Sequence, residues 1–474
     1  MTILGCCIAA ILTLGGEANA DLRDEAIARV STLEPQLIAL HKRIWEFAEV
    51  GLKEERSSFA IQEFLRAQGF EIQSGVAGMP TAFVASWGSG KPVIGILAEF
   101  DALPGTSQAA EPERKAREGV DAGHACGHSV FGAASAGAAA AAKSVLEARK
   151  LPGTIRLYGT PAEETAIGKQ YMLLAGLFDD ADIVLSWHVR DLTFSDYAYT
   201  KAVVSAKFRF HGLAAHASRD PDQGRSALDA VELMDVGANY LREHVKEDAR
   251  IHYVITNGGG QPNVVPPEAE VWYYLRANKH TDVERYFARL LKIAEGAALM
   301  TETTFDVRID SDAHEVLPNR ALSVLLDRNL RYVGPPKFNE GEMSFARKTQ
   351  EALERRPEIA LSAVIEPLLD QPEQGTASTD IGDVSWKVPV GSIAVCATAR
   401  GTPAHSWQWV ACTGTTIGEK GLSVAAKTLA ASAIELFTTP AELEAARKDF
   451  HAVRDPLEFV TFVPPGQKAP TAIR

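Results

Sequence analysis

Residues 92–98 form a nearly continuous apolar run bounded by Lys91 and Glu99, as expected of a strand buried on both faces. A strand with no wet face needs helices on both sides of its sheet, which points to a parallel α/β arrangement. Comparable runs at 154–158, 183–186 and 392–398 each lead into polar residues. The first opens into Gly159-Thr160-Pro161-Ala162-Glu163-Glu164, the second into Trp187-His188-Val189, and the third into a loop carrying His405. In wound parallel sheets, binding groups collect at the carboxyl ends of the strands, so these residues are expected at one edge.

Around this frame, apolar spacings between Asp24 and Gly69 predict two amphipathic helices, the second stopped by Gly69. Residues 81–87 read as a strand and 106–121 as a loop. Residues 131–148 are alanine-rich and helix-forming, with Ser129 placed to cap them.

Between Lys201 and Pro318 the pattern changes. Val204, Ala206, Phe208 and Phe210 alternate with polar residues; helical spacing at 226–244, two further alternating runs, a helix reaching Met300 and a closing strand at 304–309 follow. Thr281 and Glu284 are spaced as a capping box for that second helix. The order β-α-β-β-α-β describes an inserted α+β domain, so residues 21–200 and 319–474 must join across it. A chain of 474 residues is also long enough for about two domains. Residues 335–372 are expected to be peripheral, and the proline-containing tail from Pro456 extended.

Hydrophobic content of 46% suits a soluble globular chain, and a formal net charge of -13 opposes a grip on nucleic acid or an anionic membrane. A small-molecule or peptide ligand is the expectation. The apolar run 3–14 followed by Ala18-Asn19-Ala20 reads as a leader cleaved after residue 20, hence a periplasmic or secreted protein. It lacks a basic n-region, and a mis-assigned start would make the protein cytoplasmic. Without that segment Cys126, Cys396 and Cys412 remain, too few and too odd for a disulfide framework. Cys396 reads as a core residue that Cys412 could reach.

The chemistry centres on Gly123-His124-Ala125-Cys126-Gly127-His128-Ser129, where a thiol and an imidazole two positions apart can share a metal ion. Alone, this would better describe a buried cysteine beside a loop histidine. With Glu164, His188 and His405 at the same predicted edge, it becomes five ligands, enough for two divalent ions, zinc or manganese. Glu163, next to a presumed ligand, is the candidate general base for water attacking a carbonyl. Were the other ligand candidates absent, a solvated surface pair would be the plainer reading of Glu163-Glu164.

The segments 98–105, 123–129, 159–164, 263–266, 378–383 and 405–407 together resemble the M20 metallopeptidase and amidohydrolase family, in matching order across residues 30–440. The resemblance implies a discontinuous zinc-peptidase-like catalytic domain with a dinuclear site, an inserted lid that mediates dimerisation, and hydrolysis of an amide bond. It also implies that His216 stabilises the oxyanion, in its own or a neighbouring protomer's site, while Asn263 and Arg276 hold the substrate carboxylate. Arg276 has a case of its own: it shares strand parity with Glu270, Trp272 and Tyr274, opposite Val271 and Leu275, so it should leave the core face. An ordinary exposed arginine would look the same.

Asp101 is expected to orient a ligand histidine, with Glu99 able to do likewise, and Asp380 and Asp383 as similar candidates or plain helix caps. Ser129 stands where the family usually has Asp or Asn, and Thr165-Ala166-Ile167-Gly168 replaces a glycine-rich run, with bulkier groups at the pocket. The expected substrate is an N-acyl or N-aroyl amino acid, a glutamate conjugate first, taken by a homodimer or by a hetero-oligomer with a different partner chain. A dipeptidase, a Cys126–His128 thiol hydrolase and a non-catalytic binding protein are the competing readings.

Overall fold

The computed structural model describes residues 4–455 and 457–472, with side chains from Asp21 onward. The expected leader, 1–20, lies outside the residues whose side chains are described. The chain begins with α1 (Leu4–Phe47), α2 (Glu55–Ala67), β1 (Glu71–Ser74), β2 (Phe83–Ser89) and β3 (Val93–Ala98). β3 is buried at every position, as its unbroken apolar run requires. A long loop leads to α3 (His128–Arg149), then β4 (Gly153–Gly159), α4 (Gly168–Leu174), β5 (Ile183–Arg190), β6 (Phe194–Asp196) and the short β7 (Ala198–Tyr199).

The inserted unit comprises β8 (Ala202–His211), α5 (Ala227–Leu241), β9 (Arg250–Asn257), β10 (Glu268–Ala277), α6 (His280–Thr301) and β11 (Thr304–Ala313). The chain returns through α7 (Arg320–Val333), α8 (Glu340–Thr349), β12 (Glu373–Gln374), α9 (Ile381–Lys387), β13 (Val390–Cys396), α10 (Trp407–Thr413), α11 (Thr416–Thr438) and α12 (Pro440–Arg454).

Seven strands form one sheet in the order β1-β2-β4-β3-β5-β13-β6. β4, β3, β5 and β13 run parallel, whereas β1, β2 and β6 add antiparallel edges. The buried α3 packs between α1 and α11 and against β3, β4 and β5. It is apolar enough to cross a bilayer, but its alanines serve this core instead. The inserted sheet, order β11-β8-β10-β9, is antiparallel throughout, with α5 and α6 packed on it.

Three local expectations are corrected. Ser129 does not cap α3: Gly127 is the N-cap, and the Ser129 hydroxyl is buried inside the first turn with no hydrogen-bond partner. Thr281 and Glu284 form no capping box, because α6 starts at His280, whose N–H donates to Glu315 Oε2 (2.9 Å) while Glu284 meets the His280 ring (3.0 Å). The tail is packed: the Phe462 ring lies 4.9 Å from Phe287, and Gln467 Nε2 donates to Tyr171 Oη (2.8 Å) and Ile309 O (2.7 Å). It thus ties the inserted unit to α4. Within 335–372, residues Ala346, Ala360 and Leu361 build a small buried cluster with Cys396 and Cys412, both free thiols.

Candidate active site

The carboxyl ends of the four parallel strands deliver the site. β3 leads into Glu99-Phe100-Asp101, β4 leads to Glu163 and Glu164, β5 carries His188 and Arg190, and β13 leads to the His405 loop. Cys126 comes from the turn before α3. That turn needs glycine at position 127, where φ is 82° and an added Cβ would stand 2.7 Å from Val189.

Cys126 Sγ lies 3.3 Å from His188 Nε2, and His405 Nε2 lies 3.3 Å from Glu164 Oε2. The His188 Nδ1 hydrogen bond to Val189 O (2.7 Å) leaves Nε2 as the ligating nitrogen. His128 Nδ1 pairs with Asp101 Oδ1 (2.8 Å), and Asp101 Oδ2 accepts the Glu164 N–H (3.1 Å). One carboxylate therefore fixes both a ring and the adjacent ligand loop, an arrangement that orients metal-binding histidines. His405 holds φ at 61°, and its N–H donates to Ala125 O (3.1 Å), which ties the two ligand loops together. A non-glycine residue in that region is held there by its surroundings.

Cys126, His128 and His188 form one group of potential ligands, and Cys126, Glu164 and His405 another, the donor atoms of each lying within 4.8 Å of one another. The two groups share the thiol. Glu164 Oε1 is buried without a hydrogen-bond partner, as a donor awaiting a cation would be, while His128 Nε2 lies 3.2 Å from the buried Glu99 Oε2. Burial pushes the Cys126 thiol up to about 12 and lifts the Glu164 carboxyl, while it lowers the His188 imidazole. Acidic groups desolvated this strongly ionise only when a positive charge compensates them, a coordinating thiol is deprotonated by its ion, and an imidazole so lowered is held neutral, the form that ligates. The donors thus fit a dinuclear site that would be held by two groups with Cys126 in common.

Cys126, Glu164, His188 and His405 line a cavity of about 240 Å³ shared with Glu163, Thr165, Ala166, Arg190, Tyr274 and Arg276. Glu163 projects from the short turn after Ala162, which sits at φ 55° with its N–H donating to the buried Glu54 (2.8 Å). Its Oε2 lies 3.8 Å from His128 Nε2, beside the ligand groups rather than within the pair that shares Cys126. Arg276 reaches the cavity from β10, and its Nη1 donates to Ser378 Oγ (3.2 Å).

His216 and Asn263 are not brought to this cavity. Both are exposed at the far end of the inserted sheet, joined by the His216–Val264 bridge and by the Ala217 N–H donating to Asn263 O (3.0 Å). Sequence reading missed Lys169, which is fully buried with Nζ 2.8 Å from Glu99 Oε1 and 2.6 Å from Asp380 Oδ1. The signal was a lysine amid Ile167, Tyr171 and Met172. Asp380 is thereby a partner for this lysine, and Asp383 meets His314 (2.8 Å) instead of a ligand.

The description "Peptidase family M20/M25/M40" matches residues 95–408, more than half of the chain. The chain belongs to this family. It is similar to one of the two p-aminobenzoyl-glutamate hydrolase subunits of Escherichia coli (strain K12), 41% identical over 87% of this chain and 91% of that protein. The Xaa-Arg dipeptidase of Mus musculus is 28% identical over 90% and 92% of the two chains. Among solved structures, an aminobenzoyl-glutamate utilization protein from Klebsiella pneumoniae superposes with a TM-score of 0.60 at 19% identity, covering 86% of this chain and 97% of that one. A dinuclear metal-binding M20 peptidase from Bacillus subtilis gives 0.55 at 19% identity, covering 86% and 99%. This M20 protein is accordingly a metal-dependent amide hydrolase, its α/β catalytic domain carrying the ligand cluster and its inserted domain forming the lid.

Proposed function

We propose that this protein cleaves the amide bond of N-acyl or N-aroyl amino acids, with conjugates of the p-aminobenzoyl-glutamate kind first among them. The observation that carries the reading is the pair of ligand groups sharing Cys126, in one cavity with Glu163 and Arg276. Cys126, His128 and His188 would hold one ion and Cys126, Glu164 and His405 the other, with zinc or manganese suited to this N, O and S set. The ions would supply a polarised carbonyl and an acidified water. Glu163 takes the proton of the attacking water and returns it to the leaving nitrogen, Arg276 holds the free carboxylate through its guanidinium, and Asp101 keeps the His128 ring in place.

The lid's exposed His216 and Asn263 are assigned to the cavity of a second copy, His216 against the oxyanion and Asn263 on the carboxylate. A homodimer through the lid is the assembly. A hetero-oligomer with a different partner chain is its alternative, since two Escherichia coli relatives are named as distinct subunits of one hydrolase. Mixing inactive His216→Ala with inactive Glu163→Gln protein should restore part of the activity, because the mixed dimer contains one intact site. Mixtures that stay inactive although protomers exchange would contradict this sharing.

Hydrolysis of N-acyl amino acids, p-aminobenzoyl-glutamate and dipeptides, with manganese, with zinc and after chelation, tests the function. Metal-dependent release of an amino acid, fastest from the aroyl-glutamate, is expected. Preference for dipeptides would move the assignment to a dipeptidase, the activity named for the Mus musculus relative. Turnover that survives chelation would favour the Cys126 thiol as nucleophile.

A further inference from the structure

Arg190 is the last residue of β5, two positions beyond His188, so both side chains stand on one face of the sheet about 7 Å apart along the strand. Both line the same cavity. No carboxylate lies within 4.0 Å of the Arg190 guanidinium among the described residues, and no described hydrogen bond occupies it. Its two acidic neighbours do not satisfy it. Asp191 is committed to Arg400 Nη1 (2.6 Å) and the Gly401 N–H (2.8 Å). Asp196, opposite Ser392 on the paired strand, lines the cavity but stands beyond ion-pair distance from Arg190.

A partly buried guanidinium facing a cavity without a partner is costly to keep unless a ligand supplies the anion. Arg276 enters the same cavity from the lid, so two cationic forks from two domains face one space in a chain of net charge -13. Local arginines of this kind let an acidic protein take an acidic ligand. On the functional reading above, Arg276 holds one carboxylate, and a substrate with a single carboxylate would leave Arg190 unanswered. We propose that Arg190 reads a second carboxylate and restricts this enzyme to dicarboxylic amides. The second carboxylate is carried either by the side chain of the released amino acid or by the acyl group.

The test measures kcat and KM of the metal-loaded enzyme for N-(4-aminobenzoyl) conjugates of glutamate, aspartate, glutamine and alanine, and for N-(4-carboxybenzoyl)-alanine. These are assayed with the wild type, Arg190→Met, Arg190→Lys and Arg276→Ala. The wild type should favour a dicarboxylic member over its neutral counterpart by about 10-fold or more in kcat/KM, the worth of one charge-assisted hydrogen-bonded pair. Preference for the glutamate conjugate places the second carboxylate on the amino acid; preference for the carboxybenzoyl compound places it on the acyl group.

Arg190→Met should erase that preference, chiefly through KM, while still hydrolysing the alanine conjugate. Arg190→Lys should restore part of it, and Arg276→Ala should weaken every member. Equal wild-type rates on the glutamate and glutamine conjugates and on the two benzoyl-alanines would overturn the proposal, as would a preference that persists in Arg190→Met. Uniform loss across all substrates in Arg190→Met would also overturn it, by giving Arg190 a structural role. Failure of the wild type on every member would instead fall on the functional reading itself.

Discussion

Glu163→Gln is expected to lower kcat by about 10²- to 10⁴-fold, the usual worth of a positioned general base, with little change in KM. The substitution keeps the size of the side chain and removes only its ability to take a proton. Glu163 lines the cavity, lies 3.8 Å from His128 Nε2 and takes no part in the two ligand groups that share Cys126. Glu163 also stands with Glu99 and His128 in a third donor group, but both groups that share Cys126 stay complete in the variant, so its metal content should be retained, which separates loss of the base from loss of the site. The backbone that carries it is braced by Glu54, whose Oε1 accepts the Ala162 N–H, so the turn itself should survive. Steady-state kinetics beside elemental analysis decides the point, and unchanged turnover would refute the role.

The second large effect concerns stability. Lys169→Met should cost about 3–5 kcal/mol, read from denaturant midpoints, because it removes one partner of a buried ion cluster and leaves Glu99 and Asp380 uncompensated. Burial already pushes both carboxyls up to about 7 against the opposing pull of the lysine. Carboxyls raised in the folded state destabilise it where they are ionised, above that pKa, and cease to do so as protons bind. The deficit should thus be largest above about pH 7 and shrink on acidification. Adding Asp380→Asn to Lys169→Met should recover part of the loss, since one unpaired charge disappears. A deficit below about 1 kcal/mol, or one that grows on acidification, would show that the cluster does not act this way.

The parts of the site visible in the sequence are those where chemistry and topology coincide. The unbroken run of β3 predicts its burial, and the polar residues that follow β3, β4, β5 and β13 meet at one sheet edge because parallel strands end together. The alternation in β10 predicts that Arg276 leaves the core face, and it does reach the cavity. What the sequence concealed depends on partners distant along the chain. α6 begins at His280 rather than at a local box because Glu315, from the segment after β11, takes its N–H. Ser129 reads as a cap by type, yet the turn at Gly127 already begins α3, and a left-handed φ at that glycine has no signature beyond the glycine itself.

Lys169 and Arg190 were hidden for a related reason. A lone cation in an apolar segment looks like a surface residue until its neighbours are known. Lys169 finds its carboxylates far along the chain, at Glu99 and Asp380, so no local spacing could pair them. The tail after Pro456 has the composition of a loose extended strap, but the apolar Phe462 finds Phe287 and His280, and this packing turns it into a tie between lid and catalytic domain. His216 and Asn263 come together through the His216–Val264 bridge and the Ala217–Asn263 hydrogen bond, away from the cavity, and the proposed assembly is what would present them to a ligand cluster.

The central proposal is that two donor groups with Cys126 in common would hold two ions, and metal content per chain tests it most directly. Elemental analysis of purified protein equilibrated with manganese or zinc and then freed of loose metal should find two ions per chain. Cys126→Ala, which removes the donor common to both groups, should lose both. A wild type that holds one ion or none, or a Cys126→Ala variant that still holds two, would contradict the shared-thiolate centre.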